Sequence, residues 1–214
     1  MGSDSHRRSH ASCPRCGGPV REPTAWSSAW RCELHGEVHP LLPFSPSREG
    51  LDGLLRFSGV PVLAPWPLLA GWLVAGFAGA GDERTGTHAA AVALAGPNPV
   101  GGPADMVIVT EEPGVGLGAA LAGLDSVDPG AGFASAPPIA TVCFGKHDFP
   151  LWHVDSPDRA TFAGEIKALW LWLVLWPDTA GVLLIEPLAL RDLRDPGQDL
   201  DLPFGAASPR LPMR

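Results

Sequence analysis

The chain has 214 residues and a mass of 22.4 kDa, enough for one ordinary domain with a small module and too little for a large multidomain enzyme. With 45% apolar and 18% charged residues it can bury a core, which excludes a wholly disordered chain, and 24 Pro with 26 Gly predict many turns. The net charge of −8 is uneven: residues 1–48 carry six Arg against four acids, whereas 49–214 carry nine basic and 19 acidic groups, so the body should repel nucleic acid and anionic membranes.

Residues 1–10 read as a flexible tail. Arg7-Arg8 resembles a twin-arginine pair, but Ser-His-Ala-Ser-Cys-Pro follows it and the first 20 residues hold no apolar run, so a cytoplasmic location is expected. Residues 11–42 carry the strongest chemical signal. Cys13-Pro-Arg-Cys16-Gly17-Gly18 and Trp30-Arg-Cys32-Glu-Leu-His35-Gly36 are two copies of one device. Each sets two ligands three positions apart on a tight turn, followed by a glycine able to take the left-handed conformation that aims backbone N–H groups at sulfur. Fifteen residues separate Cys16 from Cys32, room for a short β-hairpin. Together Cys13, Cys16, Cys32 and His35 predict a tetrahedral zinc ribbon, because thiolate softness and tetrahedral geometry select Zn²⁺. Three cysteines cannot pair completely as disulfides. Four protein ligands leave no place for water, so the zinc is expected to be structural and to supply most of the module's folding energy. His39 and His10 stand as alternatives for the fourth position, but only His35 has the two-residue spacing and the following glycine.

Residues 43–57, with Pro43, Pro46 and Gly50, read as a Pro-rich connector to a body over 58–205. Residues 58–81 are uncharged and of membrane-spanning length, yet Pro61, Pro65, Pro67, Gly71, Gly76 and Gly79 break any helix, so no membrane span is expected. Two apolar runs flank Gly81-Asp-Glu-Arg-Thr-Gly86 and predict a β-hairpin, its small residues marking a face where a helix or another backbone packs closely. Met106-Val-Ile-Val-Thr-Glu predicts a buried strand, and residues 118–124 a short helix. Ile139-Ala-Thr-Val-Cys-Phe and Leu151-Trp-His-Val predict a second hairpin with a longer loop. Ser156 as N-cap, Pro157 at the first turn, a stripe of Phe162, Ile166, Leu169, Trp170 and Leu173, and Pro177 as a stop predict one long buried helix. Gly181-Val-Leu-Leu-Ile-Glu predicts another strand, Asp195-Pro-Gly a turn, and residues 206–214 a C-terminal tail. The expected fold class is α+β, a small N-terminal zinc ribbon followed by an antiparallel or mixed β-sheet body carrying the long helix.

Weaker constellations lie in the body. Gly114-Val-Gly116-Leu-Gly118 sits where a phosphate-cradling loop belongs, but it lacks the spacing and the lysine of such loops, and Glu111 and Glu112 precede it, so no nucleotide cofactor is assigned. Cys143, His153 and Asp155 would converge on the second hairpin if Cys143 lay across from residues 151–153, giving a thiol, a base and an orienting carboxylate. The competing reading is a core cysteine and a hydrogen-bonded histidine. Trp170, Trp172 and Trp176 suit core packing or a homodimer interface through the Trp-rich helix.

The knuckle motifs, with Pro150-Leu-Trp-His-Val, Phe162-Ala-Gly-Glu, Leu169-Trp-Leu-Trp-Leu-Val-Leu-Trp-Pro and Ser208-Pro-Arg-Leu, resemble a family of actinobacterial proteins with an N-terminal zinc ribbon and no assigned activity. The resemblance covers nearly the whole chain and implies zinc and a bacterial cytoplasm. The absence of Tyr and the 13 Arg against 2 Lys fit a GC-rich bacterial genome. The function expected is that of a non-enzymatic interaction or regulatory protein with an unknown protein partner. The alternatives are an enzyme built around Cys143, His153 and Asp155, and a nucleic-acid-binding regulator led by the ribbon.

Overall fold

The computed structural model describes residues 11–195 and 201–211; the expected tail over 1–10, with His10, and the turn after Asp195 lie outside them. The chain opens with β1 (Val20–Arg21), β2 (Trp30–Cys32) and β3 (Gly36–Val38), a small antiparallel sheet of their own. There follow β4 (Leu41–Phe44), α1 (Arg48–Leu55), β5 (Leu63–Pro65), β6 (Leu73–Asp82), β7 (Gly86–Pro97), β8 (Pro103–Glu111) and α2 (Leu117–Ala122). The last elements are a 3₁₀ turn (Phe133–Ser135), β9 (Ala140–Phe144), β10 (His147–Val154), β11 (Ala160–Ile166), β12 (Leu169–Trp176), a second 3₁₀ turn (Asp178–Leu184) and β13 (Leu188–Asp192). The ten strands from β4 onward form one sheet in the order β4-β6-β7-β8-β12-β11-β10-β9-β13-β5. Every pairing is antiparallel except β13 with β9, so the body is mostly β and the sheet is mixed.

The sheet curls until β5, last in the order, lies against β7 and β8, where the Thr110 hydroxyl donates to the Pro61 carbonyl. Its concave face encloses the main core, with Val92, Leu94, Met106, Ile108, Leu171, Leu173 and Leu151 buried there. The convex face is lined by small and β-branched residues, Ala78, Ala91, Val107, Val109 and Val174, together with Trp172, and is also buried. Both faces of the central strands are therefore apolar. The stretch read as a connector, 43–57, holds the end of β4 and all of α1, whose N-cap Ser47 accepts from the Gly50 N–H at 3.1 Å. Helix α1 covers β6, where a Cβ at Gly79 would meet Leu54 Cδ1 at 2.7 Å, so the small residues of this hairpin do admit a close neighbour. Residues 205 and 208 hydrogen-bond the backbone of Val74 and Ala75, bringing the C-terminal stretch back onto the sheet.

Three expectations are corrected. The long helix is instead the hairpin β11–β12. No helix starts at Ser156, and Leu169, Leu171, Leu173 and Leu175 pack on the concave side while Trp170, Trp172, Val174 and Trp176 pack on the convex side, a period of two between two kinds of apolar residue. The turn, Lys167-Ala168, has both residues at positive φ, 52° and 61°, without the Gly or Asn that such a turn favours. Ala168→Gly should therefore raise stability by about 0.5–1 kcal/mol in urea unfolding, because the left-handed conformation costs an alanine more than the added freedom of the unfolded chain. The hairpin β9–β10 has a two-residue turn, Gly145-Lys146, rather than a longer loop. Residues 181–186, read as a strand, lie mostly in the 3₁₀ turn, whose buried residues Ala180 and Leu184 are spaced for a helical turn while Ile185 is exposed.

Candidate metal centre

Cys13 and Cys16 stand on one knuckle, and Cys32 and His35 on the turn between β2 and β3. In the first, the Gly17 N–H donates to the Cys13 carbonyl and the Cys13 N–H to the Gly18 carbonyl, both at 2.8 Å. Gly17 and Gly36 sit at φ 67° and 69°, the left-handed region the knuckles need. The four donor atoms lie within 4.8 Å of one another. Cys13 Sγ and Cys32 Sγ stand 3.5 and 3.7 Å from His35 Nδ1, and Cys16 Sγ is 3.7 Å from Cys32 Sγ. These are three of the six distances between the donors, and the four together could hold a metal ion. Burial pushes the Cys13 thiol up; at Cys32 burial acts the same way, but the amide N–H groups of His35 and Leu34 outweigh it and lower the thiol. His39 is not part of this set: its ring stacks on His88 of β7.

The ribbon is seated on the large sheet by specific polar contacts. Arg15, between the first two ligands, donates from Nη2 to the Gly114 carbonyl at 2.5 Å and from Nε to the Val115 carbonyl at 3.1 Å. Trp30 Nε1 donates to Asp82 Oδ2 at 3.0 Å, Arg84 donates to the Ser28 carbonyl at 2.8 Å, and Ser12 exchanges backbone hydrogen bonds with Leu41 of β4. Arg21 and Arg31 pair with Glu33 and Glu37 at 2.5 and 4.0 Å.

The Gly-rich loop serves this seat. Its amides are occupied from within: the Leu117 and Gly118 N–H groups donate to the Glu111 carboxylate at 2.7 and 3.1 Å, and the Gly114 N–H to Asp128 Oδ1 at 3.1 Å. Glu111 is fully buried at the end of β8. Burial is the dominant influence and holds its carboxyl up at about 7, against the lowering effect of the two amides and the Trp172 indole. The native state thus keeps this proton to a higher pH than the unfolded chain, whose carboxyl titrates near 4.5. The stabilisation is complete below that value and is lost as pH rises through about 7. Glu111→Gln should flatten the fall in thermal stability over that window.

The cysteine-histidine constellation of the body does not assemble. Cys143 faces Asp148 across β9 and β10, whereas His153 pairs with Phe162 on β11. His153 Nδ1 is 3.6 Å from Asp155 Oδ1, but the pair is solvent-exposed and away from the thiol. Asp148, first by hydrogen bonding, and then burial raise the Cys143 thiol, the opposite of what a nucleophile needs. Iodoacetamide at neutral pH should label Cys143 at least about tenfold more slowly than free cysteine, and His153→Ala should leave that rate unchanged. Sequence reasoning missed Glu111 and the His39, His88 and Glu112 group. The one available signal was His88 itself, a lone polar residue opening an alanine run.

A family profile described as "Family of unknown function (DUF6758)" matches residues 7–211. No curated protein matches the chain, and no solved structure does.

Proposed function

We propose, from the premise that the chain belongs to the DUF6758 family of unknown function, that residues 11–40 bind one structural zinc ion and that the protein is a non-enzymatic interaction or regulatory protein of the cytoplasm. The closed tetrahedron of donors carries this reading. Zinc at ~2.3 Å from sulfur and ~2.0–2.1 Å from nitrogen calls for S···S edges near ~3.8 Å and S···N edges near ~3.5 Å, and the donors stand 3.5–3.7 Å apart along the edges named above. Four protein donors leave no position for a reacting water, so the ion's work is to hold the ribbon's shape. Three reduced thiols suit a reducing compartment.

Two further observations favour protein partners over nucleic acid. The ribbon's Arg15, Arg21 and Arg31 are engaged by carbonyls or carboxylates of the same chain. The ribbon also exposes Trp26 at 97% and Leu34 at 79%, apolar side chains suited to a protein contact. A homodimer through the Trp-rich segment, β12, would have the half-buried Trp170 to offer, with Trp172 and Trp176 buried within the chain.

The test is metal analysis joined to cobalt substitution. One zinc per chain is expected, and the cobalt form should show the intense visible absorption of a tetrahedral thiolate site. Substoichiometric metal in a fresh, unchelated preparation, or a cobalt spectrum with exchangeable water, sinks the reading. In fluorescence anisotropy at physiological salt, the intact protein should bind duplex DNA no tighter than about micromolar.

A further inference from the structure

The ribbon meets the large sheet across a pair of imidazoles. His39 follows β3 and His88 belongs to β7; their rings stack with centroids 3.8 Å apart and planes 26° from parallel. His88 Nδ1 lies 2.8 Å from Glu112 Oε2, just past β8, while its Nε2 is buried and has no hydrogen-bond partner among the described residues. The other charged groups acting on His39 are Asp82, at the end of β6, and Arg15 of the first knuckle. Asp82 is held by the Trp30 indole and by the turn at Arg84 and Thr85, and Arg15 by the Gly114 and Val115 carbonyls.

A single proton on His39 suits this arrangement, since its imidazolium can stack on a neutral His88 ring and be offset by Glu112 and Asp82. Two do not. Face-to-face cations at ring-contact distance repel, and a protonated Nε2 on His88 would be a buried donor with no acceptor. We infer that the His39–His88 stack is a proton-operated latch, which holds the ribbon on the sheet while the pair carries at most one positive charge and releases it as a metal-bound unit when both rings are protonated. The metal-bound state of the released unit rests on the zinc reading above; the latch itself rests on the stack. Burial, and then the charge of His88, hold His39 below its ordinary value of 6.5. The docked form therefore binds fewer protons than the released form, is favoured above that value, and is lost as pH falls.

The test is hydrogen–deuterium exchange on the full-length, zinc-loaded protein between about pH 7.5 and about pH 5, corrected for the intrinsic pH dependence of exchange, with released zinc measured in the same samples. Protection of the Ser12, Leu41 and Gly81 amides, whose hydrogen bonds join residues 12 and 40 of the ribbon to β4 and β6, should fall about tenfold per pH unit below the midpoint, the slope for one additional proton, with zinc retained. His39→Phe and His88→Phe keep an aromatic ring in the stack but no charge, and should hold protection flat. Flat protection in the wild type overturns the latch, as does a loss that tracks zinc release and persists in both Phe variants. Should either variant fail to fold, imidazole titration in the wild type by NMR decides: both rings reaching the charged form with the Ser12, Leu41 and Gly81 amides still protected overturns it. Absence of zinc at neutral pH would sink the metal reading separately, and the pH dependence of the Ser12, Leu41 and Gly81 amides in that sample would still decide the latch.

Discussion

Chelation of the metal, or Cys13→Ser, should unfold residues 11–40 while the ten-stranded sheet keeps a cooperative transition of its own. The ribbon has almost nothing else to hold it. Cys13 and Cys32 are buried, but Trp26 and Leu34 point to solvent and the three strands hold two or three residues each. Without metal the module has too little apolar area to offset its chain entropy, whereas zinc binding to such modules is worth about 10–16 kcal/mol. The sheet's core lies elsewhere, under residues of β7, β8 and β12. The body should still lose what the seat contributes: the Arg15, Trp30 and Arg84 hydrogen bonds, at about 1 kcal/mol each. Exchange protection mapped with and without chelator should show residues 11–40 losing protection together and β7, β8 and β12 keeping theirs. A ribbon that stays protected without metal would mean that docking alone folds it.

What could be read from the sequence follows from how local each signal is. The knuckles were legible because their ligands come in pairs three residues apart, and the four donors meet as the spacing implies. The β6–β7 hairpin was legible because a charged turn, Asp82 to Gly86, separates two apolar runs. The β11–β12 hairpin was not. Lys167-Ala168 carries no turn residue, and Ser156-Pro157-Asp158 imitates a helix start while its serine actually bonds the Ala122 carbonyl and the Thr161 hydroxyl. The Leu/Trp alternation of β12 was hidden because both faces of the strand are buried, so no polar residue marks the period. Turn length decided the fate of the Cys143 constellation: a two-residue turn sets the thiol opposite Asp148, and His153 then falls beyond the end of β9. From sequence, Glu111 and Glu112 are two acids ahead of the Gly-rich loop with nothing to tell them apart. Strand alternation turns one of them inward, and the amides opening α2 are there to receive it.

Gly118→Ala should destabilise the protein more than any other single-methyl addition in α2, because of Trp172. The indole is fully buried on the convex face of β12, between Val109 of β8 and Ala163 of β11. A Cβ at Gly118 would come within 2.1 Å of Trp172 Cδ1 and 2.4 Å of Nε1, far inside contact distance. Helix α2 cannot back away without withdrawing the Leu117 and Gly118 amides from Glu111, which would leave a buried carboxyl without its donors. Overpacking of about 1–3 kcal/mol and loss of the Glu111 hydrogen bonds of about 1–3 kcal/mol act together, so a cost of roughly 2–6 kcal/mol is expected in urea unfolding. Trp172→Leu removes the obstacle at its own cavity cost, and Gly118→Ala in that background should cost at least about 1 kcal/mol less than in the wild type. A neutral Gly118→Ala, or equal costs in the two backgrounds, would show that the loop carrying Arg15's acceptors is not fixed by this contact, and that the ribbon's seat is set by β4 and β7 instead.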